Sequence, residues 1–329
     1  MRRPIRAAAG LALVTVMSLV ASGCMTVHGE LAVLPGAKKS EAAQALADFT
    51  EAYNKADKAY DPELDAGRVT GALGAINQAG LKARGITNPD GNSRHQPLEL
   101  TDAKFLIPKK AGWPRWFVAD TDSNRDEDDG PGDTRWVLVF VRGGADQLWE
   151  VAYLAILTPD EIPEFETDKD GYAVPAPADS ESPAVAPGDV SAEYTSYLKD
   201  GKPAHFARGP HTDEWRDIRA KNAKLPGLTI QYSDQPLKDG EFAPLALATK
   251  DGGALVFFAI KYFERQTAAA GYTPKVSDDV KALMTGEVTN TLTKEWVSSQ
   301  AALLEPDGAD ADQVNVLSRL QGVIGAEGS

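Results

Sequence analysis

The chain has 329 residues, 43% hydrophobic and 25% charged, the composition of an ordinary globular protein. Its 48 acidic residues against 34 Lys and Arg give a formal charge of −14, which argues against nucleic acid as a partner, since that binding is dominated by cationic contacts with phosphate. A single cysteine excludes an intramolecular disulfide, four-cysteine zinc sites and iron–sulfur clusters.

The first element is a leader. Arg2, Arg3 and Arg6 precede a short apolar run from Ala7 to Val20, and Ala21, Ser22 and Gly23 close it before Cys24. Charge, apolar segment and small residues at a cut site are the order of an export signal. The apolar run falls short of the roughly 20 residues a spanning helix needs. Small residues directly before the only cysteine resemble the lipobox of bacterial lipoproteins, with Ala21 where that family usually has Leu. The resemblance implies that signal peptidase recognises Ala21, Ser22 and Gly23. It also implies that the Cys24 thiol is acylated and that the mature protein starts there, anchored on the extracytoplasmic face of the cell membrane. Cleavage leaves 306 residues and removes three arginines, so 31 basic residues face 48 acidic ones, a formal charge of −17. Such a surface disfavours a peripheral grip on anionic head groups, which leaves the acyl chain as the anchor. Single cores stop growing near 250–300 residues, so two domains are expected.

Residues 24–39 mix Gly, Pro and Lys without periodicity and read as a tether. Ser40 stands as a helix N-cap, and Ala42, Ala45, Leu46, Phe49, Tyr53, Ala56 and Tyr60 form one apolar stripe on a helix over 41–59. Asp61-Pro62 predicts the start of a second helix. From Leu98 the period changes to two, predicting strands over 98–107, 116–121, 135–141 and 148–157, with Gly143-Gly144 turning between the last two. These elements make a first α+β domain over 40–162. Five prolines within 163–187 predict a Pro/Ala-rich linker. A second α+β domain follows over 188–329: helices over 190–198 and 212–224, then strands over 228–233, 242–249, 254–264, 287–292 and 296–304. Asp251-Gly252-Gly253 predicts a hairpin turn. The order repeats that of the first half, which raises a structural duplication.

Helices followed by a curved antiparallel sheet resemble the NTF2-like (cystatin-like) α+β cone, in element order alone. A second resemblance rests on Val27-His28-Gly29-Glu30, Tyr53-Asn54-Lys55-Ala56, Gly112-Trp113-Pro114, Asp120-Thr121-Asp122-Ser123-Asn124-Arg125 and Asp251-Gly252-Gly253-Ala254-Leu255-Val256-Phe257-Phe258. These stretches are similar to an uncharacterised family of actinobacterial exported lipoproteins. That resemblance implies surface location and large exported domains, and brings no activity with it.

Three constellations have chemical readings. Asp120, Asp122, Asn124 and Asp126 alternate, as the oxygen ligands of a calcium loop do, with Glu127, Asp128 and Asp129 behind them. Arg125 and Pro131 stand where that loop requires Gly and Glu, so a solvated acidic loop is the favoured reading. His205, His211, Asp213 and Glu214 could serve a zinc or general-base site, but their spacing matches no motif, and the acids suit the first turn of a helix. Trp113, Trp116 and Phe117 could form a stacking platform, although the hydrophobic entry of a core strand is the favoured reading. No nucleophile elbow, P-loop or dinucleotide fingerprint is present in the right context. No catalytic residue, metal ligand or cofactor is therefore assigned.

The expectation is a membrane-anchored lipoprotein acting as a binding or assembly module of the cell envelope. Its partners are the membrane, through lipidated Cys24, and an envelope protein, a glycan or a small ligand. The alternative is an envelope hydrolase using carboxylates in a sheet-lined pocket. A solute-binding component of a transporter would show alternating strands and helices, and strand runs stand there instead.

Overall fold

The computed structural model describes residues 32–127, 130, 132–181, 183–308 and 312–329. Ala21, Ser22, Gly23 and Cys24 lie outside the described residues, as do Asp128, Asp129 and Pro131 of the acidic loop.

The chain enters the fold earlier than the expected tether allows. Val33–Pro35 (β1) pairs with Lys109–Ala111, and Ala37 is buried. Helix α1 spans Lys39–Ala59, with Lys38 rather than Ser40 at its cap, because the Glu41 carboxylate accepts from the Lys38 N–H at 3.4 Å. Ala42, Ala45, Leu46, Phe49 and Ala56 form its buried face. Asp61-Pro62 starts a single 3-10 turn, Pro62–Leu64, instead of a long helix. The break comes where Asp65 turns inward. Its carboxylate accepts from Asn77 Nδ2 and Gln78 Nε2, both at 2.6 Å, which folds the chain back along the next helix, α2 (Gly71–Thr87).

Strands β2 (Leu100–Leu106), β3 (Lys109–Ala111), β4 (Arg115–Ser123), β5 (Arg135–Arg142) and β6 (Glu150–Leu157) follow. Four of them make an antiparallel sheet in the order β2-β4-β5-β6. The second half supplies α3 (Val190–Asp200), α4 (Asp213–Asn222), β7 (Lys224–Leu225), β8 (Leu228–Leu237), β9 (Leu245–Ala248) and β10 (Ala254–Ala268). It continues with α5 (Asp278–Ala282), β11 (Met284–Gly286), β12 (Thr291–Leu304) and β13 (Val314–Gly328). The larger sheet runs β11-β13-β12-β10-β8-β7, with β9 also paired to β10. Among the described residues of that sheet, β11 with β13 is the one parallel pair. The two short strands expected near 287–304 are one long strand preceded by a turn. The last strand, β13, was not expected at all: its glycines and interleaved polar residues hide the alternation.

The fold is α+β and four layers deep. Residues on β4 alternate between two cores: Phe117 and Ala119 pack with α1, whereas Trp116 and Val118 face the larger sheet. On β10, Phe257 and Ala259 meet the smaller sheet, while Val256, Phe258 and Ile260 pack under α3. Both faces of the central strands are therefore buried, which explains their nearly unbroken apolar runs.

The proline-rich segment 163–187 is held against both sheets. Ala173 bridges Pro108, Phe165 bridges Thr249, Pro175 bridges Leu247 and Pro183 bridges Pro306. Ala173 and Val185 are buried. Prolines without N–H groups confine these contacts to isolated bridges rather than a strand.

Candidate functional site

A cleft of about 610 Å³ opens beside α2, where the two sheets meet. Phe49 and Tyr53 of α1 and Leu73 and Ile76 of α2 form one wall. Trp136, Leu154 and Ile156 come from the smaller sheet, and Trp296, Leu320 and Val323 from the larger. Val280 and Leu283 close the remaining side. There the Ser277 hydroxyl caps α5 by accepting from the Val280 N–H at 3.4 Å, and Thr87 Oγ1 donates to Asp279 Oδ1 at 3.2 Å, which ties α5 to the end of α2. α2 can lie this close to β13 because Gly322 has no side chain: a Cβ there would stand 2.8 Å from Ile76 Cγ2.

The polar groups of the cleft are few. Arg84 lies back over Gly80, one helical turn earlier, where an added Cβ would stand 3.4 Å from Nη2. The Arg84 guanidinium also sits 5.4 Å from the Tyr60 ring centroid. Among the described residues it makes no ion pair, and its Nε is buried without a hydrogen-bond partner. The same is true of Trp296 Nε1, whose ring stacks on Tyr262 at 5.6 Å and 6°. Lys294 pairs with Glu264 at 3.1 Å, and Gln321 accepts from the Tyr262 hydroxyl at 3.1 Å. Burial first, then the neighbouring Asp57, raises the Tyr53 phenol above its ordinary pKa. Asn77, also on the cleft wall, is committed to Asp65, whose carboxyl is pushed up to about 6 by burial against the opposing Asn77 and Gln78 hydrogen bonds.

A second cleft, of about 450 Å³, is lined by Trp113, Pro114, Trp116, Gln147, Glu150 and Glu241. Glu150 is raised above its ordinary pKa by burial and by the charge of Glu241. Glu241 in turn accepts from Thr70 Oγ1 at 2.8 Å and from the Gly71 N–H at 3.3 Å, at the start of α2. Trp113 carries the Arg115 guanidinium 4.6 Å from its ring centroid and that of Arg142 at 5.2 Å. Of the aromatic trio expected as a platform, Trp113 and Trp116 line this cleft, whereas Phe117 stacks on Phe140 in the core at 4.7 Å.

The other sequence constellations do not converge. Asp120 is buried and bonded to Arg135 Nε, Asp122 accepts from the Ser123 N–H, Asn124 bridges Glu99 and Pro97, and Asp126 receives Thr134. His205 lies 2.8 Å from Glu193, while burial and the Arg319 charge hold His211 below its ordinary pKa. Asp213 receives Arg208 and the Gly209 N–H. Among the described residues no group of three His, Cys, Asp or Glu side chains could hold a metal ion. Nearby, Arg219 donates to both oxygens of Asp234 at 2.9 and 2.8 Å and is ringed by Trp215, Tyr232 and Tyr262, a contact that seats α4 on the sheet.

Sequence reasoning missed the main cleft because its walls come from seven separate elements. Its one local signal was the apolar stripe of α1.

A family model described as a domain of unknown function (DUF8094) matches residues 33–328. An uncharacterized lipoprotein of Streptomyces coelicolor is 55% identical over 315 residues, covering 95% of this chain and 93% of that protein. An uncharacterized lipoprotein of Streptomyces avermitilis is 54% identical over the same length and shares. A further uncharacterized lipoprotein of Streptomyces coelicolor is 23% identical over 318 residues, 88% of this chain and 86% of that protein. No solved structure matches.

Proposed function

The chain belongs to the DUF8094 family of actinobacterial lipoproteins, and from that premise we propose that it is a membrane-anchored, extracytoplasmic binding module whose main cleft takes an apolar small molecule. Cys24, preceded by Ala21, Ser22 and Gly23, is the anchor in this reading, and the acyl chain keeps the cleft close to the membrane. The carrying observation is the cleft itself. Its volume lies in the range of small-molecule sites, about 300–1,000 Å³, and its walls are aromatic and aliphatic with few polar groups. The neutral fluorophore N-phenyl-1-naphthylamine tests it. The probe should bind the mature chain with enhanced fluorescence, and Ile156→Trp, a substitution at a half-exposed cleft position, should block it. Binding that Ile156→Trp leaves unchanged would remove the cleft from the account.

A second reading, an envelope hydrolase, is favoured by one observation: Glu150 and Glu241 share the Trp113 cleft, and one carboxyl is raised beside the other. Unequal carboxyls are the pattern of acid and base roles. Glu150→Gln abolishing hydrolysis of an envelope glycan by the mature protein would support it.

A further inference from the structure

Resting on the reading that the main cleft holds an apolar ligand, we propose that this ligand is a single-chain amphiphile with a carboxylate head, and that Arg84 binds the head. Three observations converge on Arg84. Several other arginines of this acidic protein are paired with carboxylates, Arg68 with Asp48, Arg135 with Asp120, Arg142 with Glu41 and Arg219 with Asp234, whereas Arg115 and Arg319, like Arg84, are not among the described residues. Arg84 lines the cleft with no such partner among the described residues, and its Nε is buried and unpaired. A half-buried guanidinium lining a ligand cleft with no carboxylate beside it is free to take an anion from the ligand.

The second observation is Gly80. The absent side chain leaves the space over which the guanidinium lies, so the fork is held along α2. A planar fork matches a carboxylate with two parallel hydrogen bonds. The third observation is Trp296, a residue of the cleft wall whose indole N–H is buried and lacks an acceptor among the described residues. An indole N–H only donates, so it too asks for an oxygen from the ligand. Apart from Asn77, Ser277, Asp279, Lys294 and Gln321, the remaining wall is hydrocarbon and aromatic, which suits one alkyl chain, and the volume matches a molecule of that size rather than a two-chain lipid.

Calorimetric titration of the full mature chain, carrying Cys24→Ala so that no attached acyl group competes, separates this proposal from the reading beneath it. Palmitate, hexadecanol and hexadecyltrimethylammonium share a chain length and differ in the head. Palmitate should bind at least tenfold more tightly than hexadecanol, and the ammonium compound more weakly than either. Arg84→Gln should bring palmitate down to the hexadecanol value and leave hexadecanol unchanged, which also shows that the variant is folded. Arg84→Lys, retaining charge without the fork, should keep part of the preference. Hexadecanol binding as tightly as palmitate, or a palmitate preference that survives Arg84→Gln, would overturn the proposal while leaving the apolar cleft intact. Failure of all three to bind would overturn both.

Discussion

The hydroxyl of Ser299 on β12 holds both backbone groups of Leu154 on β6: it accepts from the Leu154 N–H at 3.3 Å and donates to the Leu154 carbonyl at 3.1 Å. Two residues on, Ser318 of β13 accepts from the Ile156 N–H at 3.2 Å. β6 is the edge of the smaller sheet, and an edge strand left open invites pairing with other chains. Hydroxyls from the larger sheet take up that edge and set the back of the cleft. Ser299→Ala should leave the buried Leu154 groups unpaired and cost about 1–3 kcal/mol in urea unfolding. A loss well below that range would show that the joint rests on apolar packing alone.

We propose that the chain divides at 163–187 into two units, one for each sheet, held together by the core they share. Val139 and Tyr153 of one sheet and Leu247 and Phe257 of the other belong to that single cluster. Limited proteolysis should cut first in the exposed turn around Lys169, and the two fragments should still elute together. A first cut inside β5 or β6, or fragments that separate in native buffer, would contradict this.

Asp65 makes stability depend on pH with a known sign. Its folded pKa, about 6, lies above the unfolded value near 4, so the folded state holds the proton more tightly. The contribution is fully present below pH 4 and is lost as the pH rises through 6, a difference on the order of 3 kcal/mol. Denaturant unfolding at pH 4.5 and 7.5 should therefore show Asp65→Asn losing stability relative to wild type at the lower pH and recovering at the higher. An equal difference at both values would mean that Asp65 ionises normally.

Cys24→Ala should leave the precursor uncleaved or release the protein into the medium, as read by mass and by membrane fractionation. A variant still processed and still membrane-bound would place the anchor elsewhere.

What the sequence made legible follows from the range of each signal. The apolar stripe of α1 and the β-branched and aromatic runs of β4, β5 and β10 are local and were read correctly as helix and strands. β13 was missed because Gly322, which lets α2 approach, and Gly325 carry no hydrophobic signal. The pairing of Arg135 with Asp120 was invisible because an alternating acidic run looks the same whether its members face solvent or one basic partner. The cleft is a property of how α2, α5 and both sheets meet, and no single stretch contains it. Arg84 and Gly80 are one turn apart on one helix, but only the packed structure gives that spacing a role.

The central claim is that the cleft beside α2, and not the Trp113 cleft, takes the ligand. It is tested most directly by the indole N–H resonance of Trp296 in the mature chain with labelled tryptophan. On saturation with palmitate the Trp296 signal should shift as its unpaired donor gains an acceptor, while Trp113 stays in place. A shift at Trp113 with Trp296 unmoved would contradict the account.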